Sequence, residues 1–115
     1  MIEQTVRDFL VSEGYETYVQ IAPTQTASPT HIVVQRTGTS LENHISGARI
    51  VVQTYAPSLL EAGRLNDEIV NLMVYSFPTV RNISACRLEN AYPQIDLRTK
   101  ENRYQAVFYV TYTEV

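Results

Sequence analysis

The side chains able to do acid–base, nucleophilic or metal chemistry are few in this sequence, and their spacing is uninformative. The two histidines, His31 and His44, are too far apart for a local ligand pair, and no His-x-x-x-His or Cys-x-x-Cys spacing accompanies them. Both are expected to face solvent, His31 at a strand start and His44 in a polar loop. Cys86 is the single cysteine, which excludes an internal disulfide. It alternates between Ala85 and Arg87 with no neighbour to stabilise a thiolate, so it is expected to be a small core residue rather than a nucleophile. Asp67 and Glu68 are adjacent on a predicted helix and diverge by about 100°, so they cannot act as a paired acid and base. Asp96 and Glu101 flank an expected turn, and Asn82-Ile83-Ser84 matches the glycosylation tripeptide, a pattern common by chance. No Gly-rich phosphate loop, nucleophile elbow or dinucleotide fingerprint is present. The expectation is a protein that is not an enzyme and that needs no cofactor or metal.

The elements that must position these residues are easier to read. The chain is organised around Ala48 to Tyr75. Arg49-Ile50-Val51-Val52-Gln53-Thr54-Tyr55 is nearly continuous in apolar, β-branched character and reads as a central strand. It turns through Ala56-Pro57 into a helix whose start is marked by Ser58, a side-chain cap, and Glu61 three residues on. Ala62, Leu65, Ile69, Leu72 and Met73 then form one apolar stripe, with Arg64, Asn66, Asp67, Glu68 and Asn71 on the remaining positions. Gly63 lowers helicity by about 1 kcal/mol, which marks a place where something packs closely.

Before that unit, Met1 to Glu13 reads as a helix with Ile2, Val6, Phe9 and Leu10 on one face and Glu3, Gln4, Arg7 and Asp8 elsewhere. Gly14 follows where a left-handed cap belongs. Tyr15 to Ile21 reads as a short strand, Ala22 to Thr30 as a Pro- and Thr-containing loop, and His31 to Thr37 as a strand. Thr39 to Gly47 reads as a second loop joining two antiparallel neighbours. After the long helix, Phe77-Pro78 stops helical continuation. Ile83 to Glu89 is a strand, Ala91-Tyr92-Pro93 interrupts it, and Gln94 to Arg98 resumes an extended pattern. After a charged turn, Arg103 to Thr113 is the longest strand, with Tyr104, Ala106, Phe108, Val110 and Tyr112 on one side, paired as a hairpin with the segment before it. The expected class is α+β, one domain spanning residues 1–115, with a mostly antiparallel sheet, two helices packed on one face and the order α-β-β-β-α-β-β-β.

Composition narrows the function classes. The hydrophobic fraction of 44% and charged fraction of 18% describe a globular domain. No apolar run approaches the roughly 20 residues of a membrane span, and the N-terminus lacks the basic-then-apolar order of a signal peptide; no membrane association is expected. A net charge of −3 without a basic cluster argues against sequence-specific nucleic-acid binding. Eight tyrosines and no tryptophan suit cross-strand pairing and protein interfaces.

Taken over nearly the whole chain, the order of features resembles the tail terminator, or tail completion, proteins of long-tailed bacteriophages. The features are an N-terminal helix, a small-polar loop, and a strand pair containing Ile32-Val33-Val34-Gln35-Arg36-Thr37-Gly38. Then come Ile50 to Ala56 running into Glu61-Ala62, the connector Phe77-Pro78-Thr79-Val80, and the closing aromatic strand Arg103 to Val110. The resemblance implies a ring, usually of six subunits, on the head-proximal end of the tail tube, which stops tube polymerisation and presents a surface for head–tail joining. The implied partners are other copies of the chain, the tail tube protein and a neck or connector protein of the head. The implied location is the host cytoplasm during assembly and then the virion. Six copies at −3 each would carry about −18, a field that discourages DNA from adhering to a conduit. Partner contacts are expected in the two polar loops and on a Tyr-bearing sheet face: Thr24, Gln25, Thr26, Thr39, Leu41, Glu42, Asn43, His44, Tyr109 and Tyr112. Two other readings compete: a neck, head–tail joining or head-completion protein, and a small bacterial α+β ligand-binding or regulatory domain, which would carry a well-formed apolar pocket.

Overall fold

The computed structural model describes residues 1–20, 29–42, 45–95 and 102–113. Helix α1 (Ile2–Ser12) opens the chain, followed by β1 (Thr17–Val19), β2 (His31–Glu42), β3 (Ile45–Ala56), α2 (Leu59–Asn71), β4 (Ile83–Ile95) and β5 (Asn102–Tyr112). The sheet order is β1-β2-β3-β5-β4. Every pairing is antiparallel except β1 with β2, and β3 is central as its continuous apolar run demands. The α+β class with both helices on one sheet face is therefore the observed one.

Alternation along the strands divides the sheet cleanly. Ile32 and Val34 of β2, Ala48, Ile50 and Val52 of β3, and Ala106, Phe108 and Val110 of β5 form the core with Ile2, Val6 and Leu10 of α1 and Ile69, Met73 and Phe77 after the central strand. Phe9 and Phe77 bring the two helical segments together, ring centroids 5.2 Å apart. Tail-end chemistry is as the sequence demands in α1: Gly14 sits at φ +96°, the Tyr15 amide donates to the Leu10 carbonyl and the Gly14 amide to that of Val11, a Schellman closure. At the start of α2 the Ser58 hydroxyl accepts from the Glu61 amide at 3.2 Å. A Cβ at Gly63 would lie 3.2 Å from Cε2 of Tyr104, which is the close packing its presence marked. The helix then widens into a π turn over Leu72–Ser76 and a 3-10 turn over Phe77–Thr79, so the chain leaves its helix by way of Pro78.

Three expectations change. In the segment expected to be a loop, Thr39 to Glu42 and Ile45 to Gly47 are strand: Thr39 pairs with Ala48, Ser40 with Gly47, Leu41 with Ser46 and Glu42 with Ile45, because polar residues that alternate can extend a strand pair as readily as apolar ones. The segments expected at Ile83 to Glu89 and Gln94 to Arg98 are, as far as Ile95, one strand rather than two, with Asp96 to Arg98 outside the described residues, so the sheet has five strands among the described residues. Pro93 is tolerated because, among the described residues, β4 is an edge strand bonded only to β5, where a missing amide donor can point outward. Third, two helix positions placed outside the apolar stripes are buried all the same: Glu3 is 3% exposed and Asn66 2%. The Glu3 carboxylate reaches Nε of Arg36 at 3.4 Å.

Candidate interaction surface

The face of the sheet that no described helix covers, here the helix-free face, is where polar and aromatic side chains converge. At one end, Tyr109 of β5 leans across β3 and shares a 3.0 Å hydrogen bond with the hydroxyl of Ser40 on β2. Gly47 permits this crossing: a Cβ there would overlap the Tyr109 hydroxyl and stand 2.7 Å from its Cζ. The Arg87 guanidinium lies 4.9 Å from the centroid of the same ring, a cation–π arrangement. Beside it, Arg49 of β3 grips Glu89 of β4 with two bonds, 2.6 Å from Nε and 3.1 Å from Nη2. That fork geometry holds the Glu89 carboxyl below its ordinary value of 4.5 and lifts Arg49 above its own. Glu89 occupies a bulge in β4, where the register shifts between Leu88 and Asn90; the extra residue re-aims it.

The ladder continues toward the other end. Gln53 donates to Gln105 at 3.3 Å, Gln105 donates to the Tyr92 hydroxyl at 2.7 Å, and Tyr55 donates to Gln53 at 3.3 Å. Arg103 donates to the Tyr55 hydroxyl at 2.9 Å. The other side of the Tyr55 ring stacks on His31, centroids 4.7 Å apart, and His31 meets the ring of Tyr18 edge-on at 6.1 Å. His31 is thus half-buried in an aromatic stack rather than simply solvent-facing. Beneath this layer Val33 and Val51 are buried at 3% and 6% exposure. The result is a sheet face that is rigid, rich in Tyr, Gln and Arg, and without a described helix over it.

The expected contact residues divide. Thr39 and Leu41 of the β2–β3 hairpin line, with Arg36, Ser40, Ser46 and Tyr112, an open depression of about 320 Å³. Leu41 is 74% exposed, whereas Tyr112 is 4% exposed and belongs to the core. Tyr109 lies on the opposite, helix-free face. Glu42 ends β2. Thr24, Gln25, Thr26, Asn43 and His44 lie outside the described residues, as do Asp96 and Glu101. The ladder residues Gln53, Tyr55, Tyr92, Arg103 and Gln105 are not recognisable as a group in the sequence. Their only signal was the alternation opposite each apolar position, a signal that any solvated sheet face also gives.

The groups considered for chemistry are dispersed. Cys86 is buried in the core, which pushes its thiol up to about 12. Asp67 and Glu68 are exposed on α2, with Glu68 accepting from the Tyr15 hydroxyl at 3.0 Å. Among the described residues, no group of three or more His, Cys, Asp and Glu side chains could hold a metal ion, and no helix is long and apolar enough to cross a membrane.

Fold and surface together define an α+β domain with helices on one sheet face and a polar-aromatic layer on the other. The same architecture occurs in a chain of a solved structure described as the virion of native gene transfer agent (GTA) particle, with a TM-score of 0.63 over 96% of this chain and 90% of that one, at 15% sequence identity. No family model matches the sequence, and none of the curated proteins matches it.

Proposed function

We propose that this protein is a virion structural component that assembles into a ring at the head-proximal end of a phage or prophage tail tube, ends tube growth and provides the surface for head–tail joining. The observation that carries this reading is the shared architecture, over nearly the full length of both chains, with a chain of the virion of a gene transfer agent particle. The order of sequence features that resembles the tail terminator proteins gives the finer role. The protein works through the shapes it presents to copies of itself, to tube protein and to a neck protein, and uses no reactive group, cofactor or metal. A ring of identical subunits requires two different, complementary patches on each copy. The helix-free sheet face supplies one with the composition of protein interfaces.

Deleting the gene in its phage or prophage tests the assignment. Overlong tails seen by negative-stain electron microscopy are expected. Tails of normal length beside filled, unjoined heads would move the protein to the neck, and intact infectious particles would end the virion reading altogether.

A further inference from the structure

The two faces of the domain differ in charge, and this difference identifies the patches that meet. On the β3–β5–β4 part of the sheet face, Arg49, Arg103 and Arg87 stand against Glu89 among the described residues, a local excess of two positive charges on a protein whose net charge is −3, while Glu16 lies apart from them, beside Tyr18 at the β1 edge. On the outer side of α2, Glu61, Asp67 and Glu68 stand against Arg64, an excess of two negative charges, all four side chains exposed. The same helix surface ends in two exposed apolar side chains, Leu60 at 66% and Tyr75 at 77%. We infer that copies of this chain associate head to tail, with the acidic outer surface of α2 in one copy seated on the arginine- and tyrosine-bearing sheet face of the next.

Size agrees with this. The four long strands at about 4.8 Å spacing span roughly 15 Å, and their 11 to 13 residues run roughly 36–43 Å. The face therefore offers on the order of 600 Å² in plan, within the range that each partner contributes to an interface of standard size (about 600–1,000 Å²). Chemistry agrees as well. Arginine and tyrosine are the residues that anchor protein interfaces, and the ladder holds Tyr55, Tyr92 and Arg103 in fixed positions, so little rotamer freedom remains to be lost on docking. A nucleic acid is a poorer occupant, because Arg49 is already committed to Glu89 and two further arginines neutralise few phosphates. The contact is heterologous, the kind that a ring of identical subunits requires. This inference rests on the ring reading above and names the surfaces that make it.

Two charge-reversed forms of the full chain test it: Glu61→Arg with Asp67→Arg on α2, and Arg87→Glu with Arg103→Glu on the sheet face. Circular dichroism and thermal melts establish that each folds. In light scattering coupled to size exclusion, each variant alone is expected to need at least about tenfold more protein than the wild type to assemble, since like charges now face each other. An equimolar mixture is expected to assemble within about threefold of the wild type, because alternating copies then present one reversed and one native pairing, both complementary. Variants that assemble like the wild type, or a mixture that stays monomeric, overturn the pairing of these faces and leave the ring itself standing. Raising sodium chloride from about 50 mM to about 500 mM is expected to weaken wild-type assembly about tenfold. Assembly indifferent to salt overturns the inference even where a variant fails to fold. A wild type that is monomeric at every concentration and beside tube protein overturns both the inference and the ring. Duplex DNA binding that the sheet-face variant abolishes overturns the choice of partner.

Discussion

At the scale of residues, the side chains that attract a chemist's eye are the ones the fold puts to structural use. Cys86 shares the core with Val110, its cross-strand partner, and burial raises its thiol to about 12. In the native protein it is expected to be inert to a disulfide reagent at pH 8 and to react fully in denaturant, with native-state labelling no faster than unfolding; rapid native labelling would contradict the burial. Glu89 behaves differently, because its folded-state value is depressed by the hydrogen bond and charge of Arg49. A depressed carboxyl contributes stability that is present above its ordinary value of 4.5 and is lost as pH falls through the lowered folded value. Thermal melts of wild type and Glu89→Gln are therefore expected to differ at pH 7 and to converge as the pH is brought below 4.5. A constant gap across that range would mean that the carboxylate charge contributes nothing. Neither the Arg49–Glu89 fork nor the Glu3–Arg36 pair was legible in the sequence, since each joins residues some thirty to forty positions apart. Local periodicity assigns a polar side chain to the outside without knowing what waits across the sheet.

At the scale of elements, legibility followed the strength of local chemistry. Helix α1 with its Gly14 cap, the Ser58 start of α2, the central placement of β3 and the inward set of β5 all rest on short-range signals that tertiary structure had no reason to override. The hairpin of β2 and β3 was truncated in the reading because Thr39, Ser40 and Ser46 look like loop residues. Their strand character depends on partners opposite, not on their own propensity. Gly47 is the residue that fits this extension to its neighbours, since Tyr109 must cross it to reach Ser40. A Gly47→Ala substitution is expected to destabilise the domain by about 1–3 kcal/mol, the usual cost of forcing an added methyl into a filled site. Each kcal/mol corresponds to roughly 4 °C in Tm for a domain of this size. Removing the crossing ring with Tyr109→Ala in the same chain is expected to erase most of that added cost, so the double variant is less destabilised than the sum of the singles. Strict additivity in urea titrations would mean that the methyl is accommodated elsewhere.

At the scale of the whole molecule, a net charge of −3 conceals an unequal distribution that only the fold reveals. Arg49, Arg87 and Arg103 are scattered along the sequence, yet strand pairing gathers them on one face, while α2 turns its carboxylates away from the sheet. A domain built this way buries two helices against one sheet face and leaves the other to be stabilised by side-chain hydrogen bonds. Val33 and Val51 lie beneath those bonds. A second copy docked on that face would exclude water from the ladder and strengthen each of its bonds, since hydrogen bonds and ion pairs gain in a drier medium. Folding and assembly are then linked: whatever binds the native state alone raises its stability by mass action. The apparent Tm is accordingly expected to climb with protein concentration, by several degrees between about 1 μM and about 100 μM, and to lose that dependence at high salt. Scanning fluorimetry over a dilution series reads this directly. A Tm that is flat across the series at low salt would describe a domain that is complete as a monomer, and would leave the sheet face without the partner proposed for it.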